Sequence, residues 1–322
     1  MMNRKDELDR FKRINLAEYA ASRNFVMDRR ASSRHSVVMR HPRGDKLIIG
    51  RDASGVYYYF NAKGDDSGTI VDLVMAMDGS NLGEVRKTLR AYGGTSARPP
   101  PATSLPFQIE PATHDSAGVL QAWMKMRDVA GGHPYLTDHR GIPDDVQTDP
   151  IFDRRIRIDG RGNAVFPHFG TGNTGLCGFE IKNGDERGTT FTGFSPGGLK
   201  ALFCSRPRET DREAIVCETA IDSISLAAIE GTDGKRFFST AGQISDYQAR
   251  CLRLAAARMP AGSRVVIATD NDPAGETLAD KIREALRSVE IEIIRHAPPV
   301  EGDWNDVLLQ QRRHDPPVPP GP

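Results

Sequence analysis

The last third of the chain alternates between short apolar runs and longer segments with helical spacing. The apolar runs cover residues 214–217, 236–239, 264–269 and 290–295, and the helical segments cover residues 220–230, 245–258, 273–288 and 304–312. Short runs rich in β-branched residues predict buried strands, whereas apolar positions three and four residues apart predict amphipathic helices. Their alternation predicts a parallel sheet with helices on both faces, so we expect an α/β fold here.

The earlier part of the chain has shorter, less regular elements. One helix is predicted over residues 8–23, short strands over 37–39, 47–49 and 56–60, and helices from residue 69 and over 82–92. A further helix is predicted over 117–129 and a strand pair over 165–167 and 176–181. We therefore expect two α+β units before the parallel sheet.

Composition gives the boundaries between these units. Residues 95–111 are rich in Pro, Ser and Ala, which is typical of a linker, and the Pro-rich end predicts a disordered tail. The predicted organisation is a first unit (1–94), a linker (95–111), a second unit (112–211), the parallel sheet (212–312) and a tail (313–322).

The composition is that of a soluble globular protein, with 38% hydrophobic and 27% charged residues among 322. No apolar stretch is long enough to span a membrane, and the N-terminus lacks the apolar core of a signal peptide. The four cysteines are scattered, with no pair at metal-ligand spacing. We expect a cytoplasmic protein with reduced thiols and no membrane partner.

Formal net charge is zero, but the charges are unevenly distributed. Between Arg10 and Arg51 there are eleven Lys and Arg residues against three acidic residues. Such a basic stretch predicts contact with a polyanion such as single-stranded DNA. A solvated basic surface is the alternative, and the sequence leaves both open.

Acidic residues follow two of the predicted strands. Glu218 closes the first apolar run, and Asp270 and Asp272 close the third. Ligands of open α/β sheets bind at the carboxyl ends of the strands, so these carboxylates are expected at one edge. Carboxylates brought together repel one another, and a hard divalent cation offsets that repulsion. The pattern predicts a magnesium-dependent site for phosphoryl or nucleotidyl transfer.

Helix capping is the structural alternative for part of this set. Asp272 precedes Pro273, so it suits the N-cap of a helix. Asp222 lies one helical turn after Glu218, a spacing at which like charges disfavour a helix. Capping explains Asp272, but it explains neither Asp270 nor Glu218.

Together these motifs resemble the Toprim domain of bacterial-type primases. The resemblance is carried by Glu218 with Asp222, by the Asp-Asn-Asp-Pro-Ala-Gly segment at 270–275, and by Asp303. It implies that Glu218, Asp270 and Asp272 are catalytic. It also implies that Mg²⁺ or Mn²⁺ is bound by Glu218, Asp222, Asp270, Asp272 and Asp303. Asn305 stands where the family usually has a second acidic residue, and Asp306 is a candidate to replace it.

The flanking segments resemble the same primases. The Phe-Pro strand at 166–167, the Gly-Phe segment at 178–182 and the basic segment at 195–200 are similar to the region before their Toprim domain. This implies that Lys182 and Lys200 face nucleotide phosphates or the template. Two ordinary exposed lysines are the alternative.

The first unit resembles the zinc-ribbon domain that precedes these catalytic cores, over residues 57–64 and 68–74. No cysteine precedes Cys177, and His35 and His41 alone cannot complete a tetrahedral zinc site. We expect a ribbon-like domain without zinc, similar to primase-like proteins of plasmids and mobile elements. Tyr57 and Tyr59 are expected to share one face of a strand in the core, although stacking on bases is an alternative.

The resemblance implies a Mg-dependent nucleotidyltransferase that synthesises primers from NTPs on single-stranded DNA. The sequence has no Walker-type loop, so we expect a separate partner, either a helicase or a replication or mobilisation protein. A Toprim nuclease acting at the same metals is one alternative. A catalytically inactive DNA-binding accessory protein of a mobile element is another.

Overall fold

The structure is a computed structural model that describes residues 4–52, 54–62, 66–93, 109–111, 113–171, 175–184 and 190–314. The chain divides into two compact units, residues 1–113 and 114–322, and we describe each by itself. Over the described ranges, no helix combines the length and the apolar character needed to cross a membrane.

Over its described residues, the first unit is a five-stranded antiparallel sheet with four helices. The helices are α1 (Arg4–Phe11), α2 (Leu16–Ser22), α3 (Ile70–Asp78) and α4 (Leu82–Gly93). The strands, which pair in chain order, are β1 (Val26–Met27), β2 (Ser36–Arg40), β3 (Lys46–Arg51), β4 (Tyr57–Asn61) and β5 (Ser67–Gly68). The predicted single helix over residues 8–23 is wrong. Asn15 interrupts it, because its side chain accepts hydrogen bonds from the backbone of Ala17 and Glu18 and so caps α2.

Strand β4 alternates between a buried and an exposed face. Tyr57 and Tyr59 are buried in the core, which confirms their predicted shared face, whereas Tyr58 and Phe60 are 44% and 53% exposed. Most of the predicted linker lies outside the described residues. Ile109, however, is buried in the core of this unit, so the last residues of the predicted linker are packed.

The second unit contains six α-helices within the described ranges. They are α5 (Ser116–Met124), α6 (Asp144–Gln147), α7 (Ala220–Glu230), α8 (Asp246–Ala256), α9 (Pro273–Leu286) and α10 (Trp304–His314). A π-helix (Tyr135–His139) and a 3-10 helix (Pro150–Phe152) precede the parallel strands. The predicted helix over 117–129 ends early, at Met124, because the chain turns there and Arg127–Asp128 pairs with a strand. The predicted disordered tail lies almost wholly outside the described residues, and α10 extends two residues beyond its predicted end.

All strands of the second unit form one mixed sheet. They are β6 (Arg127–Asp128), β7 (Arg157–Ile158), β8 (Ala164–Phe169), β9 (Leu176–Gly184), β10 (Thr190–Phe194), β11 (Leu202–Cys204), β12 (Glu213–Cys217), β13 (Lys235–Ser239), β14 (Arg264–Ile267) and β15 (Glu292–Arg295). The order is β10-β9-β8-β11-β13-β12-β14-β15, with β6 and β7 beside β8. Strands β12 to β15 are parallel and the others antiparallel. The predicted α/β class is confirmed.

Helices cover both faces of the parallel strands. Along β12, Ile215 packs in the core formed with α7 and α10, and Val216 packs in the core formed with α8 and α9. Burial on both sides explains why these strands are continuous apolar runs rather than alternating ones.

Candidate functional site

The acidic residues lie where two neighbouring parallel strands end. Strands β12 and β14 are adjacent, with Val216 opposite Ile267. The chain passes from β12 to β13 on one side and from β14 to β15 on the other. This divergence is a topological switch point, and ligand sites of α/β sheets lie at its carboxyl end. Glu218 directly follows β12, and Asp270 follows β14 by three residues.

Two of the predicted ligands also cap helices at this edge. One carboxylate oxygen of Asp222 accepts hydrogen bonds from the backbone N and the hydroxyl of Thr219, at 3.1 and 2.6 Å. Asp272 is the N-cap of α9, where its Oδ1 accepts a hydrogen bond of 2.6 Å from the backbone N of Gly275. The capping role predicted for Asp272 is confirmed. Both carboxylates are also stabilised by the positive end of the helix dipole.

Asp303 behaves similarly at the start of α10. Its Oδ1 accepts a hydrogen bond of 2.7 Å from the backbone N of Asp306. Asn305 is 1% exposed, and its Nδ2 donates to the backbone O of Arg140 at 2.6 Å and to the hydroxyl of Ser225 at 3.0 Å. The amide that replaces the family's second acid therefore ties α10 to two other elements of the unit.

Capping leaves Glu218 and Asp270 unexplained. The Oδ1 atom of Asp270 is buried without a hydrogen-bond partner. In the described part of the chain, the carboxylate of Glu218 has no hydrogen bond or ion pair. Buried polar atoms without partners are uncommon because burial costs free energy, so the Oδ1 atom of Asp270 points to a ligand, and the half-buried Glu218 beside it has a carboxylate available for the same ligand.

The Asp270 loop is held in place by Gly275 and Arg295. A Cβ atom at position 275 would lie 2.2 Å from the backbone O of Asp270, so only glycine fits. Arg295 donates from its guanidinium to the backbone oxygens of Ile267, Thr269 and Asp270, at 3.1, 3.0 and 3.0 Å. Sequence analysis missed Arg295, although its position at the end of the strand beside β14 was an available signal.

A second set of contacts brings Asp303 to the same edge. The backbone N of Asn271 donates to the backbone O of Gly302 at 2.9 Å, and its side chain donates to the backbone O of Pro298 at 3.1 Å. The loop that carries Asp303 is therefore fastened to the loop that carries Asp270.

The acidic residues perturb one another. Burial, followed by the negative charges of Asp222, Glu218 and Asp303, raises the pKa of Asp270 to about 9. Burial and the charge of Asp303 raise the pKa of Asp222 to about 7. The pKa values of Glu218 and Asp303 are also raised, chiefly by burial. The five predicted metal ligands are thus close enough for their charges to act on one another, and their roles as ligands stay predictions.

The two predicted lysines also lie at this edge. Lys182 forms an ion pair of 3.7 Å with Glu180, and its side chain is only 15% exposed. Lys200 is half-buried, and its Nζ lies 3.8 Å from the point where a Cβ atom would stand at Gly242. The backbone N of Gly242 in turn donates a hydrogen bond of 3.2 Å to the backbone O of Glu218. Burial lowers the pKa of Lys200, while the charges of Glu180 and Glu218 act to raise it. Neither residue is an ordinary exposed lysine.

Glu180 was missed by sequence analysis. Its Oε1 lies 3.1 Å from Nε2 of the buried His168, whose Nδ1 lies 2.8 Å from the backbone O of Ala201. Burial acts to raise the pKa of Glu180, but the hydrogen bond to His168 and the charges of Lys182 and Lys200 hold it below its usual value. Glu180 is thus a buried carboxylate that pairs with Lys182 and whose pKa is also lowered by the charge of Lys200.

The chemical type of the acidic side chains at this edge suits a hard divalent cation. The donors are carboxylate oxygens, which such cations prefer, and Asp270 offers a buried oxygen without a partner. In the part of the chain that the structure describes, no three His, Cys, Asp or Glu side chains are grouped closely enough to hold an ion. Binding one at this edge therefore requires side-chain movement.

In the first unit, the two histidines considered as zinc ligands make other contacts. The His41 ring packs 4.8 Å from the ring of Phe25, and Nδ1 of His35 lies 3.4 Å from the backbone O of Glu110. Part of the basic stretch is neutralised, since Arg40 forms an ion pair of 2.8 Å with Asp28. The zinc-free ribbon and its nucleic-acid contact stay predictions.

Comparisons with known proteins match two segments of the second unit. Residues 215–308 match a family model described as Toprim-like, and residues 134–211 match a family described as a protein of unknown function, DUF3991. No curated protein gives a significant match.

Among solved structures, the chain is similar to the zinc-binding and RNA polymerase domains of the Aquifex aeolicus primase. The identity is 12%, the match covers 95% of this chain and 84% of that chain, and the TM-score is 0.40. The primase fragment of the bacteriophage T7 primase-helicase protein is 15% identical, with 64% and 78% of the two chains covered and a TM-score of 0.39. Both TM-scores are below 0.5, so the function proposed below is argued from the family match and from the acidic residues that follow β12 and β14.

Proposed function

We propose that this chain, which carries a Toprim-like domain over residues 215–308, is a metal-dependent nucleotidyltransferase of the primase type. One observation carries the proposal. Glu218 and Asp270 follow the two adjacent strands of the switch point without a capping role, and burial together with the charges of Asp222 and Glu218 raises the pKa of Asp270 to about 9. A bound cation would offset the free energy of holding these carboxylates ionised side by side.

Each residue at the edge has a proposed part. Glu218, Asp270 and Asp272, with Asp222 and Asp303 beside them, would hold Mg²⁺ or Mn²⁺. Such an ion, when bound, neutralises charge on the phosphates and on the attacking oxygen. Glu218 is also a candidate general base for the proton of the attacking 3′-hydroxyl, because its raised pKa brings it closer to neutrality.

The lysines are proposed to bind the incoming nucleotide. Lys200 lies against Gly242, next to Glu218, and Lys182 is held by Glu180. Ammonium groups at the rim of a carboxylate cluster can bind the phosphates of an NTP and orient them toward that cluster. Such an arrangement favours transfer to a nucleotide over simple hydrolysis of a strand.

Single-stranded DNA is the proposed template, supported by the basic stretch between Arg10 and Arg51. The first unit is proposed to be a ribbon-like domain without zinc, of the plasmid or mobile-element type, on the resemblance and the lack of early cysteines. We further propose a cytoplasmic protein that acts with a separate helicase.

A single assay tests the function. The chain is incubated with single-stranded DNA, labelled NTPs and Mg²⁺ or Mn²⁺, beside an Asp270→Asn control. New labelled oligonucleotides from the wild-type chain alone support the proposal. Shortened DNA assigns a metal-dependent nuclease instead, and DNA binding without any product assigns an accessory role.

A further inference from the structure

Two arginines line a pocket in the second unit, and a third lies over one of its walls. The pocket has a volume of about 420 Å³ and lies between α8 and the strands β8, β11 and β13. Arg236 and Arg258 line it directly, and the guanidinium of Arg155 lies over the ring of Phe169 in its wall. We call this feature the arginine pocket.

The arginine pocket is at the opposite end of the parallel strands from the carboxylates. Arg236 is paired with Ala214 at the start of β12, whereas Glu218 follows the end of that strand. Four residues of extended strand separate these positions by about 13 Å, at roughly 3.3 Å per residue. The pocket is therefore separate from the acidic cluster.

The arginines of the pocket lack acidic partners. The guanidinium carbons of Arg155 and Arg236 lie 4.1 and 4.9 Å from the ring centroids of Phe169 and Phe238. The Nε atoms of both arginines are buried without a hydrogen-bond partner. Over the described ranges, the side chains of Arg155, Arg236 and Arg258 form no ion pair. Arg206 nearby differs, since it pairs with Asp153 at 2.6 Å.

This arrangement is unfavourable without a ligand. Burial and the positive charges of Arg206 and Arg236 lower the pKa of Arg155, although the nearby thiol of Cys204 and the carboxylate of Asp153 act in the opposite direction. Arginine remains charged under these conditions, so the repulsion persists in the folded chain. Packing on aromatic rings accounts for the positions of two guanidinium groups but leaves their Nε donors unsatisfied.

We propose that the arginine pocket is a phosphate-binding subsite. Guanidinium groups bind phosphate through paired hydrogen bonds, which would satisfy the free donors and neutralise the charge. Leu202, Phe238 and Leu254 supply an apolar wall against which a sugar or base can pack. The phosphate belongs either to the backbone of a nucleic-acid strand or to a free nucleotide. Because none of the described residues that line the pocket is a carboxylate, we expect binding there without a metal ion, and the inference does not rest on the proposed catalytic function.

The test measures metal-free binding by the full chain. Affinity for a labelled single-stranded oligonucleotide is followed by fluorescence anisotropy in EDTA at several salt concentrations. The variants are Arg236→Ala, Arg155→Ala with Arg236→Ala, and Arg258→Ala. Arg287→Ala is the matched control, because that arginine is 79% exposed and lies at the C-terminal end of α9, outside the pocket. Removing a charge-assisted contact should weaken binding about tenfold and make the log–log salt slope shallower by about 0.7 per phosphate.

A parallel titration with ATP in EDTA, followed by calorimetry, identifies the source of the phosphate. Loss of DNA affinity assigns the pocket to a strand, and loss of ATP affinity alone assigns it to a nucleotide. Thermal unfolding checks each variant. If the double variant does not fold, Arg236→Lys and Arg258→Ala are compared with Arg287→Ala instead. Both are expected to fold, since the first keeps the charge and the second changes an exposed residue. The proposal is overturned if all folded variants bind both ligands as Arg287→Ala does.

Discussion

Asp270 should make the metal-free protein less stable as pH rises. The carboxyl group has a pKa of about 9 in the folded chain and a reference value of 3.8. Between these two values the folded chain keeps a proton that the unfolded chain releases. Stability is therefore fully present below about pH 4 and is lost progressively up to about pH 9. Asp270→Asn, which mimics the protonated group, removes this dependence.

The expected effect is large. One retained proton changes the free energy of unfolding by about 1.4 kcal/mol per pH unit. From pH 5 to pH 8 the Asp270 contribution alone falls by about 4 kcal/mol, which is large beside the roughly 5–15 kcal/mol that is typical of a domain's stability. The gap between Asp270→Asn and the wild-type chain should widen by that amount, with the variant the more stable.

Urea unfolding in EDTA at pH 5, 6.5 and 8, followed by circular dichroism, measures this gap. Adding Mg²⁺ at pH 8 should stabilise the wild-type chain and leave Asp270→Asn nearly unchanged, because the cation offsets the same repulsion. A gap that is equal at pH 5 and pH 8 would refute the reasoning, since it would mean that Asp270 is ionised in the folded chain throughout.

Three further predictions concern other positions. Lys200→Met should raise the NTP KM by about tenfold in a steady-state assay while metal-dependent stabilisation persists, because an ammonium that contacts phosphate is lost; an unchanged KM would contradict its role. Gly275→Ala should destabilise the chain by about 1–3 kcal/mol in urea despite the better helix propensity of alanine, because its Cβ meets the backbone of Asp270; a stabilised variant would disprove that contact. A chain beginning at His114 should bind single-stranded DNA with a salt slope shallower by roughly 3, the effect expected if half of the basic excess engages phosphates, and an unchanged slope would indicate a merely solvated surface.

The sequence predicted the parallel part of the fold well, for a physical reason. Strands β12 and β14 are buried on both faces, so their apolar runs leave little ambiguity, and adjacent Gly, Pro and Asp residues mark the helix starts. The irregular first half was predicted less well. In that half, side-chain hydrogen bonds to the backbone compete with regular secondary structure. At Asn15, a capping side chain interrupts the helix that the spacing of the apolar positions predicts.

The position of the acidic residues at the carboxyl end of the parallel strands could be predicted, because the order of the strands brings these residues to one edge. The side chains that surround them could not be predicted from the sequence. Glu180, His168 and Arg295 act through contacts distant in sequence, and no periodicity or motif spacing reveals such hydrogen bonds. The arginine pocket was hidden for the same reason. Arg155, Arg236 and Arg258 are far apart in sequence, and only the folded unit shows that they form no ion pair with the described residues.

Capping also determines which acidic residues can test the site. Asp222, Asp272 and Asp303 each accept hydrogen bonds at a helix start, so replacing them removes a cap worth about 1 kcal/mol together with any ligand contact. Loss of activity in those variants therefore does not distinguish a folding defect from the loss of a ligand contact. Glu218 and Asp270 have no such structural role, and their replacement by Gln and Asn should stabilise the metal-free chain. Inactivity combined with increased stability is a result that a purely structural role for these two carboxylates does not predict.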